Sequence, residues 1–260
     1  MTGQREPVAR ALEVLNWLAD HPKTPWSIRR VARDLETSPT TVHRIFGTFE
    51  ASGLLRKDGD GGYLPSLGLY RMCRAIIGED LPVELARPHL TALMEEVDET
   101  VMFGAYDPKR QQMMYLAVCL SRHPVQHIVV ANEWRTIHAG AAGLGILAFL
   151  PEPERRSVYA RGLERFTDKT IVNEDELEAM LATIRRAGYV RSRGQRRVGA
   201  GGIAAPVFDC LGNVFGDVCI TIPDQRFDER LTKSRGTAAV AAADAITEQF
   251  RRAGFRRGFA

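Results

Sequence analysis

Cysteine is scarce in this chain, net charge is small, and no long apolar run occurs; each shortage excludes something. The 4 cysteines among 260 residues are Cys73, Cys119, Cys210 and Cys219. Their spacing fits neither a disulfide framework nor paired metal ligands, so reduced thiols in a cytoplasm are expected. No apolar stretch nears the roughly 20 residues of a membrane span. The opening MTGQREPVAR lacks the apolar core of a signal peptide, so no export is expected. The formal net charge of +3 is too mild to indicate nucleic-acid binding by itself. No local Ser/His/Asp constellation or carboxylate pair stands out, so no catalytic residue is expected. The glycine-rich stretch from Gly140 to Gly145 is followed by no Walker-type lysine. Tight helix packing explains it better than a phosphate loop, and no cofactor is implied. What remains is an ordinary soluble composition, 45% hydrophobic and 26% charged, long enough for two domains.

The most informative stretch runs from Ser27 to Leu64. Ile28, Val31, Ala32 and Leu35 recur at helical spacing and predict a short amphipathic helix over Ser27–Leu35. Glu36-Thr37-Ser38-Pro39 breaks the pattern. Ser38 suits an N-cap, and Pro39 suits the first helical position, where a missing N–H costs nothing. A second helix over Thr40–Ala51 would turn Val42, Ile45, Phe46 and Phe49 inward and Thr40, Thr41, His43, Arg44 and Thr48 outward. Two helices about a tight turn, the second polar at its start, make a helix-turn-helix. Ser52-Gly53 closes the helix. Leu54–Lys57 and Tyr63-Leu64 flank Asp58-Gly59-Asp60-Gly61-Gly62 as a hairpin, in the position of a wing. A solvated helical pair is the bland alternative, but cap, turn, polar face and basic hairpin agree with one another.

Charge supports the same reading. Lys23, Arg29, Arg30, Arg33, Arg44, Arg56 and Lys57 outnumber Asp34, Glu36 and Glu50 across the motif, a plausible phosphate footprint. Arg44 near the helix start can bond guanine bidentately, and Ser38, Thr40, Thr41 and His43 can serve bases or phosphates. Arg29, Arg30, Arg56 and Lys57 would hold phosphates and set the register.

Elsewhere the periodicity predicts a first helix over Val8–Asp20, with Val8, Leu12, Leu15, Leu18 and Ala19 as its stripe. Trp17 is expected in the core or at a dimer surface. A helix over Ser66–Glu79 carries Leu69, Tyr70, Cys73, Ile76 and Ile77; it would link two domains and mate with a second subunit. Beyond it the pattern predicts helices over Val83–Glu96, Gly140–Leu150 (buried all round), Glu174–Ala187 and Leu231–Arg252. Strands are expected over Thr100–Tyr106, Met113–Leu120, Val125–Val130, Gly202–Phe208 and Val214–Ile222. Helices around hairpin-connected strands suggest an α+β domain with an antiparallel-rich sheet. His123 and His127 with Cys119 would share one strand face, but strand spacing holds them apart and no nearby carboxylate joins them. No metal site is expected. Arg191, Arg193, Arg196 and Arg197 read as a solvated face, with a clamp on an acidic ligand as the minority reading.

The order of several segments resembles the IclR family of bacterial transcriptional regulators. ALEVLNWLADHP is similar to the family's first helix, and TSPTTVHRIFGTFEASGLL to its recognition helix and the start of the wing. ARPHLTALMEEVDETV, IHAGAAGLGILAFLP, IRRAGYV and GIAAPVFD follow in family order. The resemblance implies a winged helix-turn-helix domain over residues 1–65, a linker helix over 66–81 and a GAF/PAS-like effector domain over 82–260. It implies a regulator, not an enzyme, working as a dimer or tetramer on a palindromic double-stranded DNA operator, and sensing a small organic acid. By position, Ala141, Ala142, Ser192, Gly202, Cys219 and Thr221 would line the effector site. Ser192 stands where members often have an acid, Gly202 where many have cysteine, and Gly143-Leu144 in place of a typical Gly-Lys. These changes imply a roomier or less polar effector. The enzyme alternative is a hydrolase or transferase in the second domain; a further alternative is a winged domain used for protein contacts.

Overall fold

A computed structural model describes residues 7–22, 24–77, 81–127, 131 and 133–256. Lys23, the stretch 78–80 after the linker helix, residues 128–130 of the expected Val125–Val130 strand, and 257–260 of the basic tail lie outside the described residues. The chain divides into two units, 1–80 and 81–260.

In the first unit, helix α1 spans Pro7–Asp20, α2 Ile28–Asp34 and α3 Pro39–Ala51. Strands β1 (Leu55–Lys57) and β2 (Tyr63–Pro65) pair antiparallel, and α4 covers Leu67–Ile77. The core joins Val14, Trp17 and Leu18 of α1 to Val31, Val42, Ile45, Phe46 and Tyr63. Phe46 meets Tyr63 edge-on at 4.7 Å between ring centroids, a favourable aromatic geometry. The inward stripe of α1 differs from the periodic expectation: Val8 is 67% and Leu12 55% exposed, while Trp17 is core. Trp17 also stacks on His21, whose Nδ1 lies 2.8 Å from the Trp17 carbonyl. Trp26 adds a third edge to the wing, since Trp26 and Tyr63 exchange backbone hydrogen bonds of 2.8 and 3.0 Å. That pairing depends on a contact 37 residues away along the chain, which local pattern cannot display.

In the second unit, α5 spans Leu81–Val97, followed by β3 (Thr100–Asp107), β4 (Gln112–Cys119) and β5 (Arg135–Thr136). Then come α6 (Ala141–Leu147), α7 (Glu152–Ala160), α8 (Glu174–Ala187), β6 (Val190–Arg193), β7 (Ala200–Phe208), β8 (Val214–Pro223) and α9 (Thr232–Arg252). The strands form one antiparallel sheet in the order β5-β4-β3-β8-β7-β6. Alternation along β8 assigns each side chain to one of two cores. Val218, Ile220 and Ile222 join Leu90, Phe103, Ile246 and Phe250 on the face covered by α5 and α9. Cys219 joins Leu144, Leu177 and Leu181 on the face covered by α6 and α8.

Three expectations are corrected. Val125–His127 is not a strand; Arg135–Thr136 pairs with β4 instead. A short strand of two residues gives no periodicity to read. The buried helix is shorter than the apolar run, because Gly140 (φ +84°) starts it late and the chain leaves helical geometry before Pro151. The helix α7 was not expected; Pro151 does not simply end a helix but stands at the N-cap of the next, with Glu152 and Glu154 favourable in its first turn.

Candidate functional site

Two sites follow from this fold, one in each unit. In the first, Ser38 caps α3: its Oγ accepts the Thr41 amide at 3.1 Å and shares a 2.8 Å hydrogen bond with Thr41 Oγ1. Ser38 and Thr41 are therefore engaged in holding the helix start. Thr40, His43 and Arg44 are exposed on the same turns, as are Arg29, Arg56 and Lys57 on neighbouring elements. Arg44, Arg29 and Arg56 make no ion pair among the described residues. Arg30 lies 3.8 Å from Asp34 and 5.6 Å above the Trp17 ring, and Lys57 pairs with Glu50 at 3.1 Å. These two cations are partly committed within the unit, whereas Arg44 is presented outward by the recognition helix. The geometry gives a polar helix start beside a basic hairpin, the arrangement a winged helix uses in a major groove.

In the second unit, a cavity of about 270 Å³ opens between α6 and the sheet. Ala141, Ala142, Ser192, Gly202, Cys219 and Thr221 are all among the residues that line this cavity. Two of them carry less freedom than expected. A Cβ on Gly202 would stand 2.9 Å from Ala141 Cβ, so this glycine allows close packing and does not leave a void. The Ser192 hydroxyl donates to Gln195 Oε1 at 3.1 Å. Gly143 likewise serves packing, since a Cβ there would meet the Ile137 backbone at 2.6 Å.

The sequence points to neither Arg135 nor His127 for this cavity, and to Arg196 and Arg197 as a ligand clamp only in the minority reading. Arg135, Arg196 and Arg197 line the cavity together with His127, and among the described residues no Asp or Glu does. Arg196 bonds Thr136 Oγ1 through Nη1 at 2.5 Å and lies 4.0 Å over the Phe166 ring. Burial, and then the nearby Arg135, push its guanidinium down from its ordinary value, though arginine stays charged. Arg135 lies over Tyr115, pairs with Glu133 at 3.0 Å, and keeps a buried Nε without a partner. His127 Nε2 is buried and unpartnered too; burial first, then Arg197, hold the imidazole below its usual range. Met102, Met113 and Tyr115 form the apolar remainder. The arginine run thus divides. Arg191 and Arg193 pair outward with Glu229 and Asp224, as a solvated face does, while Arg196 and Arg197 turn to the cavity. The cations come from β5 and from the loop after β6, at positions other than Ser192, Gly202 and Gly143-Leu144. The His123/His127/Cys119 grouping also dissolves, because His123 pairs with Asp98 at 3.1 Å and no metal-type cluster occurs among the described residues.

Residues 7–59 match the IclR helix-turn-helix domain, and residues 77–248 match the family described as bacterial transcriptional regulator IclR C-terminal. The HTH-type transcriptional regulator BhcR of Paracoccus denitrificans is 28% identical over 236 residues, covering 90% of this chain and 83% of that protein. The transcriptional repressor IclR of Escherichia coli is 25% identical over 249 residues, covering 95% and 90%. Among solved structures, an IclR homologue from Microbacterium hydrocarbonoxydans complexed with 4-hydroxybenzoate matches with a TM-score of 0.83 at 23% identity, covering 95% of this chain and 100% of that one.

Proposed function

The chain belongs to the IclR family of bacterial transcriptional regulators, and on that premise we propose that it binds a palindromic operator through α3 and releases or tightens it when a small organic acid enters the α6 cavity. It is a DNA-binding regulator with an effector-binding C-terminal domain, not an enzyme. The observation that carries the effector reading is the charge of the cavity: three guanidiniums and a histidine line it, with no carboxylate among the described residues. An anion is the ligand that such a lining attracts. At about 270 Å³ the cavity sits near the low end of the roughly 300–1,000 Å³ range of small-molecule sites, which suits a compact acid. The 4-hydroxybenzoate held by the Microbacterium homologue is an acid of this size class.

On the DNA side, Arg44, Thr40 and His43 read bases, while Arg29, Arg30, Arg56 and Lys57 hold phosphates. Ser38 and Thr41 set the helix start that presents them. Residues 66–81 connect this domain of residues 1–65 to the effector domain of residues 82–260, in the cytoplasm where the operator lies. The exposed Leu67, Tyr70 and Ile76 of α4 and Val8 and Leu12 of α1 mate with a second copy. Two copies would place two recognition helices on a two-fold operator. Ligand and operator affect one another only by the difference in ligand affinity between the two conformations.

The test is fluorescence anisotropy on the DNA upstream of the protein's own gene, at fixed salt, with and without 4-hydroxybenzoate and aliphatic monocarboxylates. A change in operator affinity with an acid present, lost in Arg196→Gln, supports the reading. Salt-insensitive or absent DNA binding sinks the regulator reading, and an acid response that survives Arg196→Gln unchanged sinks the cavity assignment.

A further inference from the structure

Asp217 is 0% exposed in the middle of β8, and both of its carboxylate oxygens are buried without a hydrogen-bond partner. Such an orphan pair is costly, and a native fold retains one only for a reason. Its position supplies the reason. Asp217, Cys219 and Thr221 alternate along one face of β8, and the latter two line the cavity. Across the sheet Asp217 stands opposite Gly104. A Cβ at Gly104 would collide with both Asp217 Oδ1 and Met113 Cε, so the carboxyl and the methionine methyl are neighbours over that glycine. Met113 itself lines the cavity. Above, Gly145 of α6 approaches Asp217 Cβ, 3.8 Å from where its own Cβ would be. The flexible Met113 side chain is thus a partition between the cavity and an acid that has no hydrogen-bond partner among the described residues.

We propose that Asp217 is the inner polar end of the effector cavity, taking a hydrogen bond with a neutral hydroxyl at the far end of an acid whose carboxylate meets the arginines, once Met113 swings aside. The proposal rests on the reading of the cavity as an organic-acid site and narrows it to hydroxy acids. Methionine suits the partition, being unbranched and adaptable. Burial pushes the Asp217 carboxyl well up, which favours its neutral form, one that can both donate and accept. A hydroxyl satisfies it without creating a buried charge, whereas an ammonium would require its ionisation. A hydroxyl-binding site of this kind rejects an analogue lacking the hydroxyl, because its own buried group is then left unpaired.

The experiment uses the full chain with benzoate, 4-hydroxybenzoate and 4-(aminomethyl)benzoate in calorimetric titrations, on wild type, Asp217→Asn and Asp217→Val, with Arg196→Gln as the control. The expected result is at least a tenfold preference of wild type for 4-hydroxybenzoate over benzoate, lost in Asp217→Val. Infrared difference spectra give a second readout. The carbonyl band of a protonated acid, missing in Asp217→Asn, should shift when 4-hydroxybenzoate binds and stay in place with benzoate. That readout decides the matter if Asp217→Val fails to fold. An unmoved band, an unchanged hydroxyl preference in Asp217→Val, or tightest binding of the amine overturns the proposal. If benzoate and 4-hydroxybenzoate bind equally and both need Arg196, the cavity reading stands and the Asp217 inference alone falls. If no acid binds, both fall.

Discussion

Ser38 Oγ takes the Thr41 amide hydrogen at 3.1 Å and is joined to the Thr41 hydroxyl at 2.8 Å, so two candidate DNA contacts are spent on each other. The pair satisfies one of the helix's orphan amides and fixes where α3 begins, and thereby where Arg44 points. Ser38→Ala should lower the unfolding free energy by about 1 kcal/mol, read from urea denaturation of the full chain. A cost near zero would mean that the cap is replaced by solvent.

Arg44 and Lys57 should behave differently on DNA. Arg44→Ala is expected to cost roughly 1–3 kcal/mol on the operator and to relax preference at one base pair. Lys57→Ala should weaken all sequences about equally and reduce the salt slope by about one. Anisotropy titrations on operator and point-mutated operators, over a salt series, separate the two. Equal losses on every sequence for Arg44→Ala would make it a phosphate contact.

Tyr70 and Ile76 are 64% and 77% exposed on α4. Large exposed apolar side chains such as these are ones that a dimer can cover. Changing both to glutamate should shift the species seen by light scattering toward monomer and weaken binding to a full palindrome more than to a half-site. An unchanged mass would place the dimer surface elsewhere.

Arg196 sits among like charges, and Thr136 and the Phe166 ring hold it in place. Replacing it with glutamine should weaken acid binding by about 10- to 100-fold, since charge-assisted hydrogen bonds exceed neutral ones by roughly 1–3 kcal/mol. Isothermal titration with 4-hydroxybenzoate measures this.

Asp217 makes stability depend on pH in a direction opposite to a salt-bridged acid. Burial raises its folded-state value above the unfolded one, about 3.9, so the folded state holds the proton longer. Stability from this group is full below the unfolded value and falls as pH rises, by roughly 1.4 kcal/mol per unit, until the buried carboxyl ionises. Asp217→Asn should therefore gain on wild type as pH rises above about 4, and little below. Thermal melts across that range test it; a constant difference would mean that Asp217 is already ionised in the fold.

How much of this was legible in the sequence follows from the range of the forces involved. Ser38-Pro39 and Gly53 act within a few residues, and each cap or stop appears where its local chemistry requires. The strand alternation from Val214 onward likewise shows its two faces without any partner in view. The six cavity positions were legible only because their order resembles a family whose fold brings them together. Arg135 was not, and Arg196 only as a minority reading, since they lie 61 residues apart and meet only when β5 joins β4 and the loop after β6 reaches α6. Nor was Asp217: in sequence it is one acid within an apolar strand, and composition alone would place it on the surface. Tertiary packing decided otherwise, because Gly104 and Gly145 leave no side chains of their own there and the carboxyl fills the gap under the cavity. Local chemistry therefore determined the helices, caps and reading head, while the charge and floor of the cavity came from contacts that only the closed sheet can make.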